Sequence, residues 1–131
     1  MWVVEGTGFE MGPGSVRTLE IWQEGIGLVK VLYQLTSGWP KEEMYGLTSQ
    51  VRRAAVSIPS NLAEGVGRAT AAEKVRFGHI ALGSAYELDT LLTIALELGF
   101  SPETDIQASR TRLSSLCKRI SSFIRHQEQK R

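Results

Sequence analysis

"QVRRAAVSIPSNLAEGVGR", residues 50–68, is the stretch on which the fold turns. Val51, Ala54 or Ala55, Ile58 and Leu62 recur at three- and four-residue steps, the period of one helix face. Met44 and Leu47 extend this row upstream, and Gly65 and Gly67 are placed to stop it. Pro59 stands in the middle. A proline there lacks its N–H and crowds the carbonyl of Ala55, at a cost of about 3 kcal/mol in an ordinary helix interior. The apolar row keeps its register from Ile58 to Leu62, so the helix is expected to continue through Pro59 with a kink. The other outcome is a break, with a short second piece starting at Pro59.

A polar row runs beside the apolar one. Gln50, Arg53, Ser57, Asn61 and Glu64 follow each other at steps of 3, 4, 4 and 3 and so share a face, whereas Arg52 falls on another. A solvated face ordinarily carries long Lys and Glu side chains, but Ser57, Ser60 and Asn61 are poor helix formers. Small polar residues beside a proline suit a close contact between helices or subunits, where their hydrogen bonds take up freed backbone groups.

Helical patterns fill the rest of the chain. Leu19, Trp22, Ile26, Val29, Leu32 or Tyr33 and Leu35 predict a first helix over 18–37, stopped by Gly38. Pro40 fits the first position of the next helix, with Glu42 and Glu43 in its first turn. Thr70 and Glu73 stand at capping-box spacing and open a third helix. Its core row is Phe77, Ala81, Ser84 or Ala85, Leu88, Leu91 or Leu92, Ala95 and Leu98, and Gly99 ends it. Ser101, Pro102 and Glu103 read as cap, first position and acidic first turn of a fourth. That helix carries Ile106, Leu113, Leu116, Ile120 and Phe123 or Ile124. No strand period competes. Long helices joined by short links predict an all-α, up-down-up-down antiparallel four-helix bundle, of the left-handed kind. The expected organisation is a glycine-rich arm over 1–16, the bundle over 17–127 and a polar tail over 128–131.

Composition narrows the function. The 131 residues are 42% apolar and 22% charged, with a net charge of +1, which excludes a global polycation. Charge is uneven, however: from Ser101 onward seven Lys/Arg face three Asp/Glu, and over 72–100 two face four. Cys117 is the sole cysteine, so neither an intrachain disulfide nor a cysteine zinc cluster can form. The N-terminus has no secretory pattern and no segment is apolar enough to span a membrane, so the expected location is cytoplasmic. His79 and His126 lie on different helices without metal-ligand spacing, no Glu-x-x-His pair of the di-iron kind exists, and no phosphate loop follows a strand. No enzyme activity, cofactor or metal is expected.

The pairing of "YGLTSQVRRAAVSIPSNLAEGVGR" with "FGHIALGSAYELDTLLTIALELG" resembles the four-helix-bundle proteins encoded in bacterial 23S rRNA intervening sequences, whose fold also includes the accessory variability protein of diversity-generating retroelements. The resemblance covers about Leu19 to Ile124. It implies a ring-like homopentamer and, for the accessory relatives, nucleic-acid binding through basic surface residues together with a protein partner. Gln50, Arg52, Arg53, Ser57, Asn61, Glu64, Gly65, Arg68, Gly83, Ser84 and Glu87 match the motif.

Two sets of candidate residues follow. For a nucleic-acid backbone, RNA or DNA, they are Arg52, Arg53, Arg68 and Arg76 with Lys74, and on the fourth helix Arg110, Arg112, Lys118 and Arg119 with Arg125, Lys130 and Arg131; arginine's planar fork suits phosphate. For contact between helices or between copies of the chain they are Gln50, Ser57, Asn61, Glu64, Gly83, Ser84 and Glu87. Gly83 in mid-helix costs stability unless another backbone comes near. Trp22, Trp39 and Tyr86 are expected in core or interface, and Cys117 in the core. The alternative to nucleic-acid binding is a scaffold that docks a protein partner.

Overall fold

The computed structural model describes residues 16–131, which are all-α. Four helices pack around one apolar core: α1 (Glu20–Thr36), α2 (Leu47–Gly67), α3 (Ala71–Glu97) and α4 (Glu103–Glu128). A 3-10 turn, Val16–Thr18, precedes α1, and another, Lys41–Glu43, lies between α1 and α2. No strand occurs among the described residues, and none of their helices is long and apolar enough to cross a membrane. The expected arm falls almost wholly outside the described residues.

The apolar rows read from sequence for α2, α3 and α4 supply most of the core. The first helix buries a different face: Ile21, Gly25, Leu28, Leu32 and Thr36 point inward, and of the expected row only Leu32 is buried. Leu32, Val51, Ala54, Ile58, Ala81, Leu88, Leu92, Ala95, Ile106 and Ile120 are fully buried. The buried leucines, isoleucines and valine among them each contribute roughly 1.5–3 kcal/mol through the water they shed, the alanines less. The helix α2 runs unbroken across Pro59. The proline is itself buried, and a Cβ on Gly25 of α1 would lie 3.2 Å from Pro59 Cβ. Gly25 thus gives the proline ring its seat, and α1 and α2 approach closely there.

Several boundaries differ from expectation. Pro40 does not open α2 but caps the 3-10 turn, and α2 begins at Leu47, whose N–H donates to Glu43 Oε1 at 2.9 Å. Met44 therefore lies before the helix and is exposed instead of buried. Leu98, likewise assigned to the core row, is the C-cap of α3 and points out. Gly65 does not stop α2: it is buried inside the helix, which runs on to Gly67. The left-handed residue of the α2–α3 connection is Ala69, at φ 67°.

Other local signals hold. Thr70 accepts from the Glu73 N–H at 3.1 Å and caps α3. At the far end Gly99 has φ 75°, while Gly99 N–H donates to Leu96 O and Phe100 N–H to Ala95 O, each at 3.0 Å. This is the paired closure that glycine permits at a helix C-terminus. The fourth helix starts at Glu103 with Pro102 as its cap residue. Ser101, expected as that cap, instead accepts from Trp39 Nε1 at 2.6 Å.

Candidate nucleic-acid interface

The polar row of α2 meets α3. Ser57 Oγ and Ser84 Oγ are 2.7 Å apart, and Asn61 Nδ2 donates back to Ser57 O and Oγ at 2.8 and 2.9 Å. Arg53 pairs with Glu87 at 3.1 Å on the exposed side of the same seam. Glu64 pairs along its own helix with Arg68 at 3.3 Å, and Gln50 is exposed. Within one chain, then, Ser57, Asn61 and Ser84 are a hydrogen-bonded contact between two helices. Gly83 stands apart from it. It is exposed, and a Cβ there would meet nothing within 4 Å among the described residues, none of whose backbone fills its space.

The adjacent arginines do face different surroundings. Arg52 turns to α1: its Nε donates to Thr36 Oγ1 at 2.9 Å, Nη2 donates to Tyr33 O at 3.3 Å, and its guanidinium lies 4.4 Å from the Tyr33 ring centre. It thereby covers the carbonyl end of α1, whose last turn has no basic residue of its own. That role holds the helix end and engages Nε and Nη2 of the guanidinium.

Most of the other candidate cations also have partners. Arg68 and Arg76 stack on Phe77 at 5.0 and 4.4 Å, and Arg76 pairs with Glu73 at 3.1 Å. On α4 the row divides between two sides. Arg119 pairs with Glu20 and Glu24 of α1, and Arg112 lies over Gly27, where a Cβ would sit 3.0 Å from its Nη2. Arg110 turns the other way and holds Asp89 of α3 through Nε at 2.7 Å and Nη2 at 3.4 Å. Its pKa is raised above the usual arginine value by that hydrogen bond and by the carboxylate's charge.

Beyond Arg110 the α3–α4 side opens into a groove of about 1050 Å³. Lys118 and Arg125 line it with the hydroxyls of Ser114, Ser121 and Ser122, and Tyr86 stands at its edge, 66% exposed. Tyr86 is thus not part of the core of the chain. Among the described residues neither Lys118 nor Arg125 pairs with a carboxylate; Arg125 Nη2 donates to Ser122 Oγ at 3.1 Å. Ser114, Lys118, Ser121 and Arg125 recur at steps of 4, 3 and 4. That spacing was legible in the sequence, although the charge count alone did not single it out.

Cys117 also lines the groove and is half-buried instead of fully enclosed. Burial, with a smaller contribution from Asp89, raises its pKa, so the thiol stays protonated. His79 is exposed, and no group of three His, Cys, Asp or Glu residues comes together among the described residues.

The family model for the 23S rRNA-intervening sequence protein matches residues 17–122, most of the chain. The chain belongs to that family. Its fold is similar to a crystal structure from Bacteroides thetaiotaomicron VPI-5482, a protein of unknown function from the S23 ribosomal protein family, with a TM-score of 0.70 at 18% identity. The similarity covers 79% of this chain and 97% of the other. The curated proteins contain no match. For this intervening-sequence family member the likeness establishes the fold alone.

Proposed function

We propose that this 23S rRNA-intervening sequence family protein is a non-catalytic, cytoplasmic oligomer that binds the phosphate backbone of RNA or DNA along the α3–α4 groove. Its four helices form an up-down-up-down, left-handed bundle, and its copies close into a ring-like homopentamer. The observation that carries the binding reading is Lys118 and Arg125, unopposed by carboxylates in a groove rich in hydroxyls. Lys, Arg and Ser are the donors that contact phosphate oxygens, and an exposed tyrosine offers a platform for an unstacked base. Arg53, Arg68, Arg76, Arg110 and Arg119 contribute less, because each is held by a carboxylate. Repetition of the groove around a ring multiplies a charge that one nearly neutral chain lacks.

Binding of purified protein to structured RNA and to duplex DNA across a salt series tests this. Lys118→Glu with Arg125→Glu removes no member of the ion pairs among the described residues. The double variant is expected to lose at least about tenfold in affinity and to flatten the log–log salt slope by roughly 1.4–1.8, at 0.7–0.9 for each phosphate no longer neutralised. Absence of binding by the unaltered protein at low salt removes this reading and leaves a scaffold for a protein partner.

The outer surface of α2 and α3 supports self-assembly. Val56 and Ile80 are 39% and 41% exposed, and Gly83 leaves room for a neighbour. Gly83→Leu puts a large side chain into that room without touching its own chain. It is expected to reduce the native mass while helix content by circular dichroism stays unchanged; a variant of unaltered mass would remove this surface from the assembly.

A further inference from the structure

One end of the molecule is built differently from its sides. Trp39 Nε1 bonds to Ser101 Oγ, and the Trp39 and Phe100 rings lie 5.7 Å apart, which clasps the α1–α2 connection to the α3–α4 connection. Around that clasp stand large apolar side chains that the core does not use. Tyr45 is 97% exposed, Leu98 58%, Met44 47% and Ile94 41%. The pairing of α2 with α3 brings them level. Ser57 meets Ser84 and Arg53 meets Glu87, so the numbers run oppositely. That register brings Ile94 level with the start of α2 at Leu47, with Met44 and Tyr45 in the connection just before it and Leu98 one turn beyond Ile94. Single exposed apolar residues need no explanation, whereas a group gathered at one end marks a contact surface.

Charge at this end is mainly negative. Glu42, Glu43, Glu97, Glu103 and Asp105 stand there against Lys41 and Arg52, the latter turned onto the end of α1. None of the five carboxylates enters an ion pair among the described residues. Three of them have a local reason: Glu43 bonds to the Leu47 N–H, and Glu103 and Asp105 occupy the first turn of α4, where the helix dipole favours carboxylates. Glu97 has none. It lies in the last turn of α3, which the dipole makes unfavourable for a negative charge, and no basic residue shares that turn. A carboxylate is kept there beside an exposed leucine, with no ion-pair partner among the described residues.

We propose that this end docks a cationic segment of a partner protein, one that presents lysine or arginine around one or two large apolar side chains. Tyr45 and Leu98 supply the anchors, and Glu42 and Glu97 supply the complementary charge that steers and orients the segment. The same acidic rim repels phosphate, so the surface is separate from the α3–α4 groove. A protein partner and a nucleic acid can then be held at once on different parts of the molecule.

The experiment uses the full chain and three short fluorescent peptides: one alternating lysine with leucine and tryptophan, one with glutamate replacing every lysine, and one of lysine and glycine only. The first is expected to bind by anisotropy, more weakly as salt rises, and the other two at least about tenfold less well. Tyr45→Ser with Leu98→Ser, and separately Glu42→Lys with Glu97→Lys, are each expected to weaken the first peptide by about tenfold or more. Equal binding of the lysine–glycine peptide, or indifference to either pair of substitutions, overturns the proposal. A fall in native mass in either double variant also overturns it, because the end would then be a contact between copies. Nucleic-acid binding measured on the same variants is expected to hold or improve, so this proposal and the groove reading can fail separately.

Discussion

Gly65→Leu is expected to destabilise the protein by about 3 kcal/mol or more, the upper range for forcing a large side chain into a packed site. A Cβ at Gly65 would lie 3.0 Å from Phe77 Cβ, 3.3 Å from Glu73 O and 3.3 Å from Lys74 Cα. Two of those three atoms are backbone and cannot turn aside. Relief requires the first turns of α3 to move off α2, and those turns carry the Thr70 cap and Phe77, on which Arg68 and Arg76 stack. Alanine at the same position separates the terms. It gains about 1 kcal/mol of helix propensity over glycine and adds one methyl group in tight contact, so it should come out near neutral. Urea unfolding of the three proteins reads the difference; a leucine variant as stable as the parent would mean that α2 and α3 are not held this close. Expressed as melting temperature, the leucine variant is expected to fall by roughly 10 °C or more.

Gly65 also shows where the sequence could mislead. Glycine after an apolar row reads as a helix stop, and close approach of a second backbone leaves the same mark in one dimension. The signals that proved legible were those whose physics is local. The Thr70 cap and the Gly99 closure need only their own neighbours, and the rows through Ile58, Leu88 and Ile120 need only the helical period. Where a residue at the edge of a row lost its local helix, the period could not tell: Met44 precedes α2 and Leu98 follows α3, and both turn outward. Ser101 was lost to a partner distant in sequence, since Trp39 claims its hydroxyl.

The candidate site divides along the same line. Which residues are basic, and which helix face each occupies, follows from spacing. Whether a guanidinium is already engaged does not. Arg110 with Asp89 and Arg119 with Glu20 and Glu24 are pairs across helices, formed only once the fold brings them together. Exposed pairs of this kind contribute at most about 1 kcal/mol each to stability. They nonetheless lower the charge available to an incoming phosphate, which is how a row of arginines becomes a groove whose unopposed cations are Lys118 and Arg125.

Leu88→Ala within α3 and Leu98→Ala at its C-cap make the same chemical change and are expected to differ by several kcal/mol. Leu88 is fully buried in the core, so its truncation removes transfer free energy and leaves a cavity, about 2–5 kcal/mol in all. Leu98, at the exposed end of α3, is expected to change stability by no more than about 0.5 kcal/mol. Denaturant midpoints for the two variants, with unchanged slope, measure this directly. Equal losses would mean that Leu98 is covered, either by its own chain or by another copy, and would withdraw the exposed anchor on which partner docking depends. A large loss at Leu88 beside a silent Leu98 separates what the third helix does for the fold from what its end is free to do. The core row holds α3 in place, and the leucine beyond it, next to a carboxylate with no ion-pair partner among the described residues, is left available for contact.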